Sequence, residues 1–265
     1  MRVGVFGAGG RMGSTVCRAV AADPDLELVA AVDPHHAGID LRQVTGVEQP
    51  IQVGGDAEAL AEAGAEVAVD FTDLAAARHN LEWCAGRGIH TVVGTTGFTD
   101  ADYAEIEGWF VAGGVNCVIA PNFAIGAVLM IRFAELAAPY FDTAEIIEFH
   151  HNAKVDAPSG TAMLTAERMA AVSAEWAPDP TRTEVVPGAR GGRGPAGIPI
   201  HSVRLHGLVA HQEVLLGTTG QSLTLRHDSY DRSSFMPGVL MAVKAVPSRP
   251  GMTVGLDRLL GLDNA

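Results

Sequence analysis

The fold of this chain follows from the stretch VFGAGGRMG (residues 5–13), which joins a short apolar run to a segment with helical periodicity over 11–22. Gly7 permits a tight turn, Gly9 and Gly10 allow the backbone to approach a pyrophosphate closely, and Gly13 lets a helix pack against a strand. The amide groups at the start of such a helix point at the phosphates. The stretch therefore predicts a strand, a phosphate-binding loop and a helix, in that order. Met12 breaks the strict G-x-G-x-x-G spacing, and the alternative is a simple glycine-rich turn.

A candidate ribose-binding acid, Asp33, ends the next predicted strand, LELVAAVD (26–33). A carboxylate in this place hydrogen-bonds the hydroxyl groups of an adenosine ribose and disfavours the 2′-phosphate of NADP. Arg11, His35 and His36 lie nearby in the sequence and can offset part of that repulsion. We therefore expect the chain to use NADH and to tolerate NADPH.

The first half of the chain alternates strands with helices. Strands are predicted over 2–7, 26–33, 66–72, 90–97 and 116–123, and helices over 11–22, 56–64, 73–88 and 100–113. Helices of this length between strands indicate right-handed crossovers. The pattern predicts an α/β fold with a Rossmann-like, doubly wound parallel sheet.

Three segments follow later strands of this sheet: DFT (70–72), GTTG (94–97) and APNFA (120–124). Their small residues and backbone amides suit a flat nicotinamide and its ribose. Taken singly, each segment is more simply a turn. Because the carboxyl ends of parallel strands meet at one edge, the three together predict a cofactor trough.

The pattern changes near Phe123, where a smaller α+β domain is predicted to begin. We expect helices over 124–141, 161–172 and 234–246, a flexible loop over 187–197, and strands over 144–150, 198–205, 208–217 and 221–229. Short turns between the last three strands indicate an antiparallel or mixed sheet. The last helix can pack on either domain.

Titratable residues follow the first strand of this second domain, in EFHHNAKVDAPSGTA (148–162). His150 or His151 can titrate near neutral pH, and Lys154 can pair with a carboxylate or donate a proton. The alternative is a solvated pair of histidines after a strand. Beside a cofactor domain, the cluster favours a site that moves a proton.

The same stretch also predicts an anion site. Ser159 can cap a helix that begins with Gly160 and Thr161, whose backbone amides and hydroxyl group then lie at the positive end of that helix. Cationic side chains on one side and a helix start on the other could hold both ends of a dicarboxylate. We therefore expect a small dicarboxylate as the substrate.

Composition narrows the class of protein. The 265 residues carry a net charge of −13, which argues against nucleic acid or an anionic membrane as a partner. No apolar run reaches the roughly 18 residues of a membrane span. Cys17, Cys84 and Cys117 form no paired motif, so we expect buried free thiols, no metal site and a cytoplasmic location.

These motifs together resemble those of the 4-hydroxy-tetrahydrodipicolinate reductase (dihydrodipicolinate reductase) family. The resemblance covers almost the whole chain and is carried by GVFGAGGRMG, VDFT, GTTG, APNFAIG, EFHHNAKVDAPSGTA and GLVAHQEVLLGTTGQSLTLRHDSYDRSSFMPGV. It implies reduction of 4-hydroxy-2,3,4,5-tetrahydrodipicolinate to tetrahydrodipicolinate by NADH or NADPH with loss of water, in diaminopimelate and lysine biosynthesis. It also implies a homotetramer in which the sheets of the second domains pack together.

The resemblance assigns roles to single residues. Catalytic roles fall on His150 and Lys154, and substrate contacts on His151, Gly160 and Thr161. Cofactor contacts fall on Gly7, Ala8, Gly9, Gly10, Arg11, Met12, Asp33, Gly94, Thr95, Thr96, Ala120, Pro121, Asn122 and Phe123, with Arg232 and Phe235 as a later pair.

The later pair implies that residues 233–265 complete a dinucleotide-binding domain over 1–123, leaving 124–232 for substrate binding and tetramerisation. Pro34 stands where family members with strong NADP use often carry an arginine, which favours NADH.

Two alternatives remain at this point. Another two-domain NAD(P)-dependent dehydrogenase of amino-acid-like substrates would share the architecture but carry a different substrate motif. A non-catalytic nicotinamide-binding sensor would keep the glycine loop but would not need His150, Lys154, Gly160 and Thr161 together.

Overall fold

The computed structural model describes residues 1–173 and 175–262. It divides into two compact units. Unit 1 consists of Met1–Phe123 and the segment that begins at Phe235, and unit 2 consists of Ala124–Ser234.

Unit 1 is built on a six-stranded parallel sheet. Its strands are β1 (Arg2–Phe6), β2 (Glu27–Val32), β3 (Val67–Asp70), β4 (His90–Val93), β5 (Cys117–Ile119) and β11 (Met252–Val254). They lie in the order β2–β1–β3–β4–β5–β11, each parallel to its neighbours. The chain reverses its direction of travel across the sheet between β2 and β3. The carboxyl ends of β1 and β3 therefore form the crevice where such sheets bind ligands.

The helices of unit 1 begin and end at residues with clear local roles. They are α1 (Arg11–Ala22), α2 (Leu41–Thr45), α3 (Glu58–Glu62), α4 (Leu74–Arg87), α5 (Asp100–Gly113) and α8 (Met236–Ala245). Asp73 accepts two backbone hydrogen bonds at the start of α4, and Thr99 with Asp102 forms a capping box on α5. Every residue of β3 is buried, as expected for a parallel strand with both faces covered.

Unit 2 is a mixed sheet with two helices. Its strands are β6 (Thr143–His150), β7 (Gly192–Arg193), β8 (Pro199–Arg204), β9 (Ala210–Thr218) and β10 (Gln221–Ser229), and its helices are α6 (Ile125–Ala137) and α7 (Gly160–Val172). The order is β10–β9–β6–β8–β7, with β6 parallel to β8 and the other pairs antiparallel.

Strand β6 presents two different faces because its side chains alternate. Ala144 and Ile146 belong to an apolar core with Met130, Ala166 and Met169 of the two helices. Residues 145, 147 and 149, on the other face, are only half-buried. One face of the sheet is therefore covered by helices, and the other is open in the single chain.

The predicted fold class is confirmed, and the differences lie in short elements. The predicted loop over 187–197 is wrong at Gly192–Arg193, which form β7 at the sheet edge. Helix α6 ends at Ala137 and continues as a 3-10 turn, Ala138–Tyr140, because Pro139 interrupts the helical hydrogen bonds. Strand β11 and helix α2 were not predicted, since three and five residues are too few to show a period.

Cys17, Cys84 and Cys117 are buried free thiols. Burial raises the pKa of Cys17 and of Cys84 to about 12, so both are poor nucleophiles at neutral pH. Within residues 1–173 and 175–262, no helix has the length and apolar character of a membrane span.

Two glycines of α5 give a test of the packing of unit 1. A Cβ on Gly113 would lie 2.2 Å from the carbonyl oxygen of Ala85 in α4, whereas a Cβ on Gly108 would meet none of the described atoms within 4 Å. Gly113→Ala should lower the free energy of unfolding by about 1–3 kcal/mol through overpacking. Gly108→Ala should raise it by roughly 0.5–1 kcal/mol through helix propensity. Urea midpoints of both variants measure this, and effects of the same sign would contradict the packing described.

Candidate active site

The glycine loop between β1 and α1 depends on close backbone approaches. Gly7 has a φ of +68°, a region that favours glycine. The N–H of Gly10 donates to the carbonyl oxygen of Gly7 (2.9 Å). A Cβ on Gly13 would lie 2.0 Å from that same oxygen, so the first turn of α1 packs here only because Gly13 lacks one.

The start of α1 has the properties of a phosphate site. Its N-cap is Gly10, and in the described part of the chain neither a side-chain cap nor an acidic residue in the first turn compensates the positive end of the helix. Arg11 is exposed and Met12 half-buried at this end, while Ala8 is buried and its N–H donates to the carbonyl oxygen of Val32 (3.1 Å). This loop therefore fits the pyrophosphate of a dinucleotide.

Asp33 lies directly against the glycine loop. The side chain is buried, and its Oδ2 accepts a hydrogen bond from the N–H of Gly9 (2.9 Å). Its Oδ1 accepts from the N–H of His35 (3.0 Å) and lies 3.1 Å from Nδ1 of His36. Burial opposes ionisation, but the contact with the His36 ring and the hydrogen bonds from Gly9 and His35 hold the pKa of Asp33 below its ordinary value.

A cleft of about 540 Å³ lies at the carboxyl ends of β1, β2 and β3. Its lining includes Gly7 and Gly10 of the glycine loop, Asp33, and Phe71 and Thr72 of the loop after β3. The predicted phosphate-binding and ribose-binding groups therefore share one crevice within unit 1, at the switch point of the sheet.

A buried carboxyl group, Asp70, organises the next loop. It ends β3 and accepts hydrogen bonds from the N–H (2.7 Å) and hydroxyl (2.6 Å) of Thr72 and from the amide of Asn80 (2.7 Å). Burial raises the pKa of Asp70, against the effect of these donors. The hydroxyl of Thr95 then donates to the carbonyl oxygen of Thr72 (2.8 Å), which ties the loops after β3 and β4 together.

The remaining predicted cofactor residues of unit 1 follow β4 and β5 at the same edge. A Cβ on Gly94 would lie 1.9 Å from the ring of Phe71, so this glycine makes room for an aromatic side chain of the cleft. The ring of Phe71 in turn lies 5.7 Å, centroid to centroid, from that of Phe123. Thr95, Ala120 and Phe123 are buried, Asn122 is half-buried, and Thr96 and Pro121 are exposed.

Arg232 and Phe235 share one 3-10 turn, Arg232–Phe235. The boundary between the units falls within this turn, so Arg232 belongs to unit 2 and Phe235 to unit 1.

The second part of the site lies at the carboxyl end of β6, where His150 contacts a buried carboxylate. Nδ1 of His150 lies 2.5 Å from Oε2 of Glu148, whose side chain is fully buried. Arg204 of β8 donates to both oxygens of Glu148, each at 2.8 Å. Burial lowers the pKa of His150, the Glu148 carboxylate acts in the opposite direction, and the cations of Lys154 and Arg204 lower it further.

The start of α7 is attached to the same carboxylate. The N–H of Ser159 donates to Oε1 of Glu148 (3.3 Å), and the hydroxyl of Ser159 caps α7 by accepting from the N–H of Ala162 (3.2 Å). Gly160 and Thr161 are the first two residues of the helix, after a cis peptide bond between Ala157 and Pro158. The ring of His150 and the start of α7 therefore contact different oxygens of one carboxylate, which brings a titratable group close to a helix N-terminus, a feature that can bind an anion.

Lys154 has a partner that the sequence pattern did not reveal. Its ammonium lies 2.7 and 2.8 Å from the two carboxylate oxygens of Asp156, and this contact lowers the pKa of Asp156. The backbone N–H of Lys154 donates to the carbonyl oxygen of His151 (3.1 Å), whose side chain is exposed. The predicted proton donor is therefore held within its own loop.

Sequence reasoning assigned no role to Glu148 or Arg204. Glu148 stands inside the motif quoted for the site, and its place two residues before His150 on a strand was an available signal. Arg204 carried no comparable signal, since only the pairing of β6 with β8 brings it to the site.

Comparisons with known proteins agree on one family. Models described as "Dihydrodipicolinate reductase, N-terminus" and "Dihydrodipicolinate reductase, C-terminus" match residues 1–123 and 126–260. A protein of Corynebacterium aurimucosum named 4-hydroxy-tetrahydrodipicolinate reductase is 50% identical, over 99% of this chain and 99% of its own. A solved, dipicolinate-bound dihydrodipicolinate reductase from Paenisporosarcina sp. TG-14 is 41% identical with a TM-score of 0.86, covering 97% of this chain and 98% of that one.

A more distant neighbour shows the fold alone. A solved amine dehydrogenase from Mycobacterium smegmatis is 16% identical with a TM-score of 0.64, covering 97% of this chain and 95% of that one. The family models and the full-length relative confirm the resemblance that the motifs indicate. They also confirm the prediction of a nicotinamide-dependent reductase. This chain belongs to the dihydrodipicolinate reductase family.

Proposed function

We propose that the chain reduces 4-hydroxy-2,3,4,5-tetrahydrodipicolinate to tetrahydrodipicolinate with NADH or NADPH and loss of water, in lysine and diaminopimelate biosynthesis. The observation that carries the proposal is the cluster at the end of β6, where His150 and the start of α7 share the carboxylate of Glu148. In this cluster a proton-transfer group would stand beside an anion site, within one unit of a nicotinamide-dependent reductase. The reaction is the one for which the relative from C. aurimucosum is named.

Unit 1 supplies the cofactor site. The bound nicotinamide cofactor would supply a hydride, and the chain would hold and orient it. The loop Gly7–Met12 would hold the pyrophosphate at the start of α1, and Asp33 would accept hydrogen bonds from the ribose hydroxyls. The loops at Gly94–Thr96 and Ala120–Phe123, with Phe235, would hold the nicotinamide half. Arg232, which belongs to unit 2, stays a predicted cofactor contact.

Unit 2 supplies the substrate site. Gly160 and Thr161 would bind one carboxylate of the substrate at the start of α7, with His151 beside it. The ammonium of Lys154 would exchange the carboxylate of Asp156 for the substrate, and His150 or Lys154 would deliver the proton. The Paenisporosarcina relative was solved with dipicolinate, a planar ring with two carboxylates, which supports a small dicarboxylate here.

The direct test is oxidation of NADH followed by absorbance while 4-hydroxy-2,3,4,5-tetrahydrodipicolinate is generated by dihydrodipicolinate synthase. We expect NADH oxidation that requires the chain, the synthase and its substrates together. Oxidative turnover of an amino acid with NAD, without this activity, would favour an amino-acid dehydrogenase. NADH binding without turnover of either substrate would favour a sensor.

We also propose a homotetramer and a cytoplasmic location. On the face of the unit 2 sheet opposite α6 and α7, Ile147, Phe149 and Leu215 are only half-buried, and the guanidinium of Arg226 lies 5.7 Å from the ring centre of Phe149. A further copy of the chain with the same face would bury these side chains. The three buried free thiols support a reducing compartment.

Asp33 tests the choice of cofactor. Asp33→Ala removes the carboxylate that would bind the ribose and repel a 2′-phosphate. NADH binding should weaken, by roughly the 1–3 kcal/mol of an unmet polar partner, and kcat/KM for NADPH should improve relative to NADH. Steady-state kinetics with both cofactors measures the ratio. An unchanged ratio would remove Asp33 from the cofactor site.

Lys154 and Thr161 test the substrate site, because their variants should fail in different ways. Lys154→Ala should lower kcat by about 10²–10⁴-fold if the ammonium takes part in proton transfer. Thr161→Val keeps the shape of the side chain and should raise the substrate KM by the equivalent of roughly 1–3 kcal/mol. Steady-state kinetics measures both changes, and NADH fluorescence should show unchanged cofactor affinity. Near-wild-type kcat in Lys154→Ala would reduce the lysine to a partner of Asp156.

Ile147 tests the tetramer. Ile147→Glu places a charge at the centre of the open face and should lower the mass in solution, measured by light scattering, from four copies to two or one. The matched control is Val111→Glu, since Val111 is 66% exposed on α5 of unit 1 and outside this face. A tetramer that survives Ile147→Glu would show that the contact between copies lies elsewhere.

A further inference from the structure

The proton of the contact between His150 and Glu148 can be assigned from the other partners of the carboxylate. Oε1 of Glu148 accepts from Arg204 (2.8 Å) and the N–H of Ser159 (3.3 Å), and Oε2 accepts from Arg204 (2.8 Å). A buried carboxylate that receives both arms of a guanidinium is ionised and can only accept. The hydrogen in the 2.5 Å contact with His150 therefore belongs to Nδ1 of the imidazole.

This assignment fixes the chemistry of the other ring nitrogen. Neutral His150 carries its proton on Nδ1, so Nε2 has the lone pair. When the ring gains a second proton, that proton is on Nε2, on the side of the ring away from Glu148. The side chain is 15% exposed, so Nε2 is the nitrogen through which the ring can exchange a proton with a ligand.

We propose that Glu148, held by Arg204, is the positioning residue that fixes the ring orientation and tautomer of His150 for proton transfer with the substrate. The inference rests on the proposed function, in which His150 exchanges that proton.

Arg204 connects the pair formed by His150 and Glu148 to a neighbouring strand and loop. It lies opposite His150 in the parallel register of β6 and β8, and it also donates to the backbone carbonyl oxygens of Val203 (2.8 Å) and Asp156 (2.7 Å). One guanidinium therefore holds the carboxylate behind His150 and the loop that carries Lys154. Among the described residues, the charged groups that change the pKa of His150 are Glu148 on its own strand, Arg204 on β8 and Lys154 in the loop.

Glu148→Gln keeps the size of the side chain and changes what it offers. The amide can donate to Nδ1 of His150, which then becomes an acceptor, and the neutral ring is driven to the Nε2–H tautomer. We expect kcat to fall by about 10²–10⁴-fold, the range of a positioned acid or base, with the substrate KM changed by less than about threefold.

The pH dependence of kcat/KM distinguishes a positioning role of Glu148 from a purely structural one, because a loss of packing would not shift it. Without the carboxylate, the effects of burial and of the Lys154 and Arg204 cations on His150 stand unopposed, so the pKa of the ring falls. If the protonated ring is required, kcat/KM falls as the pH rises through that pKa. In Glu148→Gln this fall should move to lower pH. Glu148→Asp keeps the charge on a shorter arm, so it should leave the fall near its wild-type position and lose less kcat.

The matched control is Glu135→Gln. Glu135 is also a largely buried glutamate of unit 2, with Arg132 at 3.0 Å and Arg168 at 3.8 Å, but it lies on α6 outside the proposed site. Its kcat and pH profile should stay within about twofold of wild type. Urea midpoints show which variants are folded, and Arg204→Lys, which keeps the charge but loses the two-pronged contact, replaces Glu148→Gln if that variant does not fold.

Nuclear magnetic resonance of ¹⁵N-labelled histidines separates this inference from the proposed function. His150, identified by loss of its signal in His150→Asn, should show Nδ1–H in the wild type and the other tautomer in Glu148→Gln, whether or not the substrate is turned over. A wild type without reductase activity would overturn the proposed function alone. Wild-type kcat, pH profile and tautomer in folded Glu148→Gln would overturn the positioning role.

Discussion

A carboxyl group that is removed from water must be satisfied by hydrogen bonds, and this requirement shapes three segments of the candidate site. Asp33, Asp70 and Glu148 are buried, and each stands at or near the carboxyl end of a strand. Asp33 accepts a hydrogen bond from the glycine loop, and Asp70 accepts one from the backbone of Thr72. Glu148 accepts one from the N–H of Ser159 at the start of α7. In each case the acid lies at or near the end of a strand and accepts hydrogen bonds from irregular backbone or from the start of a helix.

Strand β6 shows how a site is connected to a core. Its inward face runs from Ile146, in the apolar core, through fully buried Glu148 to His150, which is partly accessible. Helix α7 packs on the same core through Ala166 and Met169, and its first turn is tied to Glu148 through Ser159. The packed core and Glu148 thus restrict the orientation of the His150 ring, as its proposed role in proton transfer requires.

Much of the fold and of the candidate site can be predicted from local sequence patterns. The period of the apolar residues located most helices and strands of both units, because a buried strand or an amphipathic helix repeats over enough residues to be seen. The glycine loop could be predicted because Gly7 adopts a positive φ and Gly13 allows a close backbone contact, and both are local requirements for glycine. Strand β11 could not be predicted, because three residues show no period. It is recognisable only from its pairing with β5, more than a hundred residues earlier in the chain.

The sequence alone was enough to indicate a doubly wound sheet, a glycine loop at the start of α1, and a cluster around His150 and Lys154. These features depend on the spacing of residues that lie close together in the sequence. The partners of those groups were set by folding. Arg204 reaches Glu148 because β8 pairs with β6, and Gly9 contacts Asp33 because β1 pairs with β2. Which nitrogen of His150 carries its proton follows from such long-range contacts, because electrostatic environment is a property of neighbours in space.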